Sequence, residues 1–250
     1  MAPREELSSL IPKSFRSWGR EFFIMKNNNL SKIKYNVVIF DCDSTLTKIE
    51  GIDELARFKR KKSEVAVLTK KAMEGKIDFE DILERRLNLV RPSKKDLERL
   101  GSLYIKNEVK NAKKVIRALK KLGVKVYIVT GGYKMAIEIF ARYLGIKKEN
   151  VFAIDLEFNE KGDYLGYNHK NLLIKNDGKR KMIRKLAQGK RAIFVGDGAT
   201  DLAAKNEVNL FVGFGGVAKR QIVRKQSDIF IEEKSLLPIL NLVLDHQINN

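Results

Sequence analysis

Short apolar runs alternate along this chain with stretches of helical periodicity, which is the pattern of an α/β fold. Tyr35-Asn-Val-Val-Ile-Phe40 is β-branched and apolar and ends on Asp41, which predicts a buried strand. A second is predicted from Val124 to Val129, ended by Thr130-Gly-Gly132, and a third from Arg191 to Val195, ended by Gly196-Asp-Gly198. Residues 208–212, ended by Gly213, and residues 151–154 have the same character. Helices fall between them over 108–122, 134–144 and 179–187. The first carries Val109, Ala112, Ile116 and Leu119 on one face, and Gly123, Gly145 and Gly189 stand where helices end. Between the first two strands lie roughly eighty residues, far more than a βα crossover needs. Helical periodicity at about 53–58, 63–75, 78–91 and 93–101 predicts a cap subdomain inserted straight after the first strand. Residues 158–165 read as a small hairpin turning at Lys161-Gly-Asp163. The expected division is an N-terminal extension over 1–34, a core over 35–50 and 107–250, and a helical cap over 51–106.

Composition narrows the class. With 44% hydrophobic residues and only 4 prolines in 250 residues, the chain is globular and not low-complexity. One cysteine excludes an internal disulfide and any multi-cysteine metal site, and suits a reducing compartment. No apolar run reaches the ~20 residues of a membrane span. The N-terminus lacks the apolar segment of a secretory signal, so a cytoplasmic protein is expected. Residues 1–34 hold Phe15, Trp18, Phe22, Phe23 and Ile24, which would make an apolar helix face for docking on the body or on a second copy in a homodimer. A loose tail is the equal alternative. The net charge of +19 fits nucleic acid, an anionic membrane, steering of small anions, or simply a lysine-rich solvated surface.

In open α/β sheets, sites gather at the carboxyl ends of strands. Here those ends deliver Asp41 with Asp43, then Thr130 with two glycines, then Asp197 with Asp201. Two carboxylates leaving one buried strand need a cation between them. A third converging on them makes an all-oxygen site of the kind Mg²⁺ prefers. One aspartate could then attack phosphorus while its neighbour moves a proton, with a hydroxyl, glycine N–H groups and a lysine on the phosphoryl oxygens.

These segments resemble the haloacid dehalogenase superfamily of phosphatases. Asp41-Cys-Asp-Ser-Thr-Leu-Thr47 resembles its first motif, Val129-Thr-Gly-Gly132 its second, Lys179 its third and Gly196-Asp-Gly-Ala-Thr-Asp201 its fourth. Glu50-Gly-Ile-Asp-Glu-Leu-Ala56, Ala72 to Phe79, and Leu83-Glu-Arg-Arg-Leu87 are similar to the cap of its phosphoserine phosphatase branch, and Phe211 to Gly216 is a further family-like segment. The resemblance implies a three-layer, Rossmann-like core with a parallel sheet. It implies Asp41 as nucleophile and Asp43 as general acid and base. Mg²⁺ would sit on Asp41, the Asp43 carbonyl and Asp197, with Asp201 and Thr200 around it. Thr130, Gly131 and Lys179 would hold phosphate. Glu50 would take a substrate ammonium and Arg86 its carboxylate, with Met73 and Phe79 closing over them. The implied reaction is Mg²⁺-dependent hydrolysis of a small phosphorylated substrate, L-phosphoserine first among them, by way of an aspartyl-phosphate.

Other readings stand beside this one. Another phosphometabolite, or transfer to an alcohol in place of water, would use the same motifs. A basic nucleic-acid-binding protein on a phosphatase-like scaffold is the alternative from a different class, but no aromatics interleave with a basic stripe. No membrane or dedicated nucleic-acid partner is therefore expected. Cys42 should point away from the site as a buried thiol, and His169 and His246 lack metal-ligand spacing. Arg85 competes with Arg86, and Lys181 with Lys179, on residue type alone.

Overall fold

The computed structural model describes residues 33–73 and 79–244, and within them the side chains of 70–73 and 79 are left out. The apolar face expected within 1–34, the side chains of Met73 and Phe79, and His246 therefore lie outside the described residues.

Strand β1 (Val37–Phe40) is wholly buried, as a strand covered on both faces must be. After it come four helices: α1 (Gly51–Phe58), α2 (Lys62–Met73), α3 (Phe79–Val90) and α4 (Lys94–Lys106). Helix α5 (Ala112–Lys121) leads into β2 (Lys125–Tyr133), and α6 (Lys134–Leu144) into β3 (Val151–Ile154). The hairpin β4 (Leu156–Phe158) and β5 (Tyr164–Tyr167) forms its own two-stranded sheet, turning at Gly162 with φ +84°. Then come α7 (Gly178–Ala187), β6 (Ala192–Gly196), the short α8 (Ala199–Leu202), β7 (Leu210–Phe214), α9 (Gln221–Gln226), β8 (Ile229–Ile231) and α10 (Pro238–Val243).

The main sheet has the order β3-β2-β1-β6-β7-β8, and every pairing is parallel. From β1 the chain steps one way to β2 and β3, then returns past β1 to continue through β6, β7 and β8. Right-handed crossovers therefore put helices on opposite faces of the two halves, giving the three layers the resemblance implied. The reversal lies between β1 and β6, and that is where an open sheet leaves a crevice.

The helical insertion is built from local signals. In α4, Ser93 and Asp96 form a reciprocal cap, the Asp96 N–H donating to Ser93 Oγ at 3.3 Å and the Ser93 N–H to Asp96 Oδ2 at 2.8 Å. Helix α4 rests on α6 so closely that a Cβ at Gly101 would meet Ile139 at 2.8 Å. No helix among the described residues is long and apolar enough to cross a membrane.

Candidate active site

At the crevice, β1 delivers Asp41, and Asp43 follows after the buried Cys42. Beyond them Ser44 turns the chain with φ 54° and its hydroxyl donates to Glu50 Oε1 at 2.7 Å. Strand β2 delivers Thr130, Gly131 and Gly132, and the Gly132 N–H donates to Thr130 Oγ1 at 3.1 Å. Strand β6 ends at Gly196 and delivers Asp197, whose Oδ1 accepts from Thr45 at 3.2 Å. Asp201, in α8, turns back so far that a Cβ on Gly196 would stand 2.5 Å from its Cγ, so only glycine fits there. From α7, the Lys179 ammonium bridges Asp41 Oδ1 at 2.8 Å and Asp201 Oδ1 at 2.7 Å.

Asp41, Asp43, Thr130 with its two glycines, Lys179, Asp197 and Asp201 line one cavity of about 170 Å³, together with Glu50, Arg86 and Thr200. That is below the ~300–1,000 Å³ of sites for drug-sized ligands and suits a small metabolite. The two ties in the sequence resolve by burial. Arg85 and Lys181 are exposed, whereas Arg86 and Lys179 are partly buried in the cavity wall. The Lys181 ammonium instead pairs with Asp177 at 2.8 Å. Cys42 is buried as expected, and burial, Asp43 and Asp41 push its thiol up.

Burial sets the protonation of the carboxyls. It raises Asp41 to about 6, against the pull of Lys179. It raises Asp43 to about 8, helped by Glu50 and opposed by the Gly51 N–H that donates to Oδ2 at 2.8 Å. Asp197 is likewise pushed up to about 8, by burial and then by Asp201 and Asp41. For Lys179 burial favours the neutral amine, but Asp201 and Asp41 overcome it and hold the ammonium well above its ordinary value.

The donor set fits a hard divalent cation. Carboxylate oxygens of Asp41, Asp197 and Asp201 lie within 4.8 Å of one another. Asp201 already accepts three hydrogen bonds: its Oδ2 from the Asp197 and Gly198 N–H groups at 3.0 and 2.9 Å, and its Oδ1 from Lys179. Asp43 Oδ1 is buried with no hydrogen-bond partner, and Asp197 Oδ2, also buried, makes no hydrogen bond and faces only the Arg220 guanidinium at 3.2 Å. Such oxygens are what an all-oxygen Mg²⁺ site supplies.

Three residues here escaped the sequence reading. Arg220 reaches in from the loop after β7, its Nη2 3.2 Å from Asp197 Oδ2 and 3.4 Å from Glu50 Oε1. The only signal was that this loop also leaves the carboxyl end of a strand, which does not single out Arg220 from its neighbour Lys219. Tyr104, from α4, is buried beside Asp43, and Gly51 is the residue that makes room, since a Cβ there would lie 2.2 Å from the Tyr104 hydroxyl.

Replacing Asp43 tests the electrostatics independently of turnover. A carboxyl held neutral to about pH 8 disfavours folding increasingly as pH rises from about 4 to 8, because the unfolded chain releases that proton first. Asp43→Asn keeps an acceptor for the Gly51 N–H. With a chelator present, it should therefore be more stable than the parent by about 2–4 kcal/mol at pH 8 and equal to it near pH 4. Urea titrations at the two pH values check this.

The profile of the haloacid dehalogenase-like hydrolases matches residues 35–208. Phosphoserine phosphatase of Mus musculus is 35% identical over 201 residues, covering 79% of this chain and 89% of the mouse protein. The chain belongs to the haloacid dehalogenase-like hydrolases. Among solved structures, a phospho-aspartyl intermediate analogue of phosphoserine phosphatase matches with a TM-score of 0.72 and 30% identity, over 84% of this chain and 99% of that one. A substrate-bound phosphoserine phosphatase complex matches with a TM-score of 0.73 and 29% identity, over 85% and 100%. The haloacid dehalogenase-like chain described here is thus a phosphoserine phosphatase-like phosphomonoesterase, with its helices inserted between β1 and β2 where that family carries a cap.

Proposed function

We propose that this phosphomonoesterase is a Mg²⁺-dependent hydrolase of L-phosphoserine. What supports the reading is a single cavity lined by a carboxyl pair (Asp41, Asp43), a phosphate cradle (Thr130, Gly131, Lys179), and an acid and an arginine (Glu50, Arg86) for the rest of the substrate.

Asp41, ionised above about pH 6, attacks phosphorus; its oxygen forms the new P–O bond as the bond to the serine oxygen breaks. Asp43, held protonated at neutral pH, gives its proton to that leaving oxygen. It then takes a proton from the water that attacks the aspartyl-phosphate, which releases phosphate and restores both carboxyls. Thr130 Oγ1, the Gly131 N–H and the Lys179 ammonium hold the phosphoryl oxygens as charge shifts among them. Asp41, Asp197 and the Asp43 carbonyl would hold Mg²⁺, with Asp201 and Thr200 positioned around it. Bound there, the ion neutralises phosphoryl charge and lets the neighbouring carboxylates ionise together.

Glu50 takes the substrate ammonium, and Arg86 offers its planar fork to the carboxylate. Arg86 Nη2 is pre-set by donating to Thr69 Oγ1 at 2.6 Å, and its Nε is buried with no hydrogen-bond partner. Residues 51–106 form the cap over a core of 35–50 and 107–250, and its closing over the substrate would exclude water.

Phosphate release from L-phosphoserine, with and without a chelator, tests the reading. Activity with Mg²⁺ should fall at least 10³-fold when the ion is removed, and Mg²⁺ without substrate should raise Tm by several degrees, as a ligand of the folded state does. Unchanged turnover in chelator contradicts the metal assignment.

A further inference from the structure

The net charge of +19 is not spread evenly over the folded chain. The carboxyl edge of the sheet holds the acidic site; on the opposite edge the connectors into β7 and β8 carry Glu207 and Asp228, paired with Arg184 and Lys205, and β1, β2, β3 and β6 are entered by 33–36, 120–125, 145–150 and 187–191. Those four segments contain eight lysines and arginines and one carboxylate, Glu149. The strand register makes them neighbours: Val37 of β1 stands beside Lys125 of β2 on one side and Ala192, next to Arg191, on the other. Ile128 pairs with Val151, which brings the 145–150 turn alongside.

Few of these cations are neutralised. Lys34 lies over the Tyr35 ring at 5.5 Å and Lys125 over Tyr127 at 5.3 Å. Lys190 donates to the Leu186 carbonyl at 2.9 Å and Arg191 to the Ile33 carbonyl at 3.0 Å. Lys120 donates to the Gly145 carbonyl. These five and Lys148 are exposed, and none of the six makes an ion pair with a carboxylate among the described residues. Glu149 is taken by Lys147 at 3.7 Å.

We propose that this edge is a second surface of the protein, remote from the phosphatase cavity, that docks the phosphodiester backbone of a duplex nucleic acid. Adjacent strands are about 4.8 Å apart, so cations on β3, β2, β1 and β6 span about 14 Å before side-chain reach is added, enough to meet phosphates on both sides of a groove about 12 Å wide. A duplex fits better than a single strand because, among the described residues, the edge offers no exposed aromatic face for stacking: Tyr35 and Tyr127 are both buried. It fits better than a membrane because, among the described residues, the large exposed apolar side chains, Val67, Leu165 and Ile222, are not in these connectors. Recognition through lysine and phosphate alone carries no base readout, so binding is independent of sequence.

The test is fluorescence anisotropy of the full chain with a labelled 20-base-pair duplex of arbitrary sequence, alongside sedimentation with vesicles containing 30% anionic lipid. Duplex binding in the micromolar range at 50 mM salt is expected, weakening roughly a hundredfold or more by 200 mM, as about four to five neutralised phosphates require. Changing Lys34, Lys125 and Lys148 together to Glu should weaken it at least tenfold, and changing them to Gln should flatten the salt slope by about three. Both triple variants should keep the parental phosphatase rate, which shows that they fold. The proposal is overturned if the duplex does not bind at 50 mM salt, if the triple variants bind like the parent, or if vesicles bind and the duplex does not.

Discussion

Asp41→Asn should release no measurable phosphate from L-phosphoserine, with kcat down by at least about 10⁴-fold, the scale seen when a nucleophile is removed from an otherwise intact site. The amide has the carboxylate's shape but cannot attack phosphorus. Its fold should survive, because the Lys179 ammonium keeps Asp201 as a partner at 2.7 Å and the strand that ends just before position 41 is wholly buried. Tm without Mg²⁺ should be unchanged or slightly higher, since one of several buried carboxyls that repel each other has gone. Single-turnover phosphate release and a melting curve on the same sample check both halves. Parental turnover by a folded Asp41→Asn protein is incompatible with the proposed mechanism.

The second large effect concerns which phosphate is accepted. Arg86→Ala should lower kcat/KM for L-phosphoserine by about 10²–10³-fold, the cost of leaving a desolvated carboxylate without its charge-assisted partner. For an aryl phosphate, which has no carboxylate, the loss should stay within about fivefold. The split distinguishes reading of the substrate from general damage to the cap, which would affect both alike. Arg86→Lys should recover only a small part of the loss, because a point charge does not reproduce the planar fork. Equal losses on both substrates would remove Arg86 from substrate recognition.

Much of this was legible in the sequence because two signals coincided. β-branched apolar runs marked β1, β2 and β6, and in an α/β protein their last residues mark the crevice, so Asp41, Thr130 and Asp197 could be brought together before any contact was known. Helix α6 and strand β3 matched the expected limits, and Gly123, Gly145 and Gly189 all adopt the positive φ expected of helix-ending glycines. What stayed hidden depends on distance in sequence. Arg220 lies 170 residues from Glu50, and nothing local distinguishes it from the other cations of its segment. Tyr104 looked like one more apolar position of α4; only the packing of α4 beneath the β1 loop sets its hydroxyl beside Asp43. Strand β8 has three residues, too few for periodicity to show. The segregation of charge was also invisible, because the basic connectors are scattered along the chain and only the parallel register gathers them on one edge.

The site also shows function set against stability. Asp41, Asp43 and Asp197 all have their ionisation disfavoured by burial, and a core of neutral side chains of the same size would be more stable. Under the proposed mechanism the cost is kept because it places a nucleophilic carboxylate, an acid and a cation site within one small cavity.

The measurement that bears most directly on the central claim compares three substrates with one phosphate ester and different head groups, in Mg²⁺, by kcat/KM. L-phosphoserine carries both ammonium and carboxylate, phosphoethanolamine lacks the carboxylate, and 3-phosphoglycerate has a hydroxyl in place of the ammonium. With Glu50 and Arg86 reading the two charges, L-phosphoserine should exceed each of the others by at least about a hundredfold. If either of the others is turned over as well as L-phosphoserine, this is a haloacid dehalogenase-like phosphatase built for a different ester.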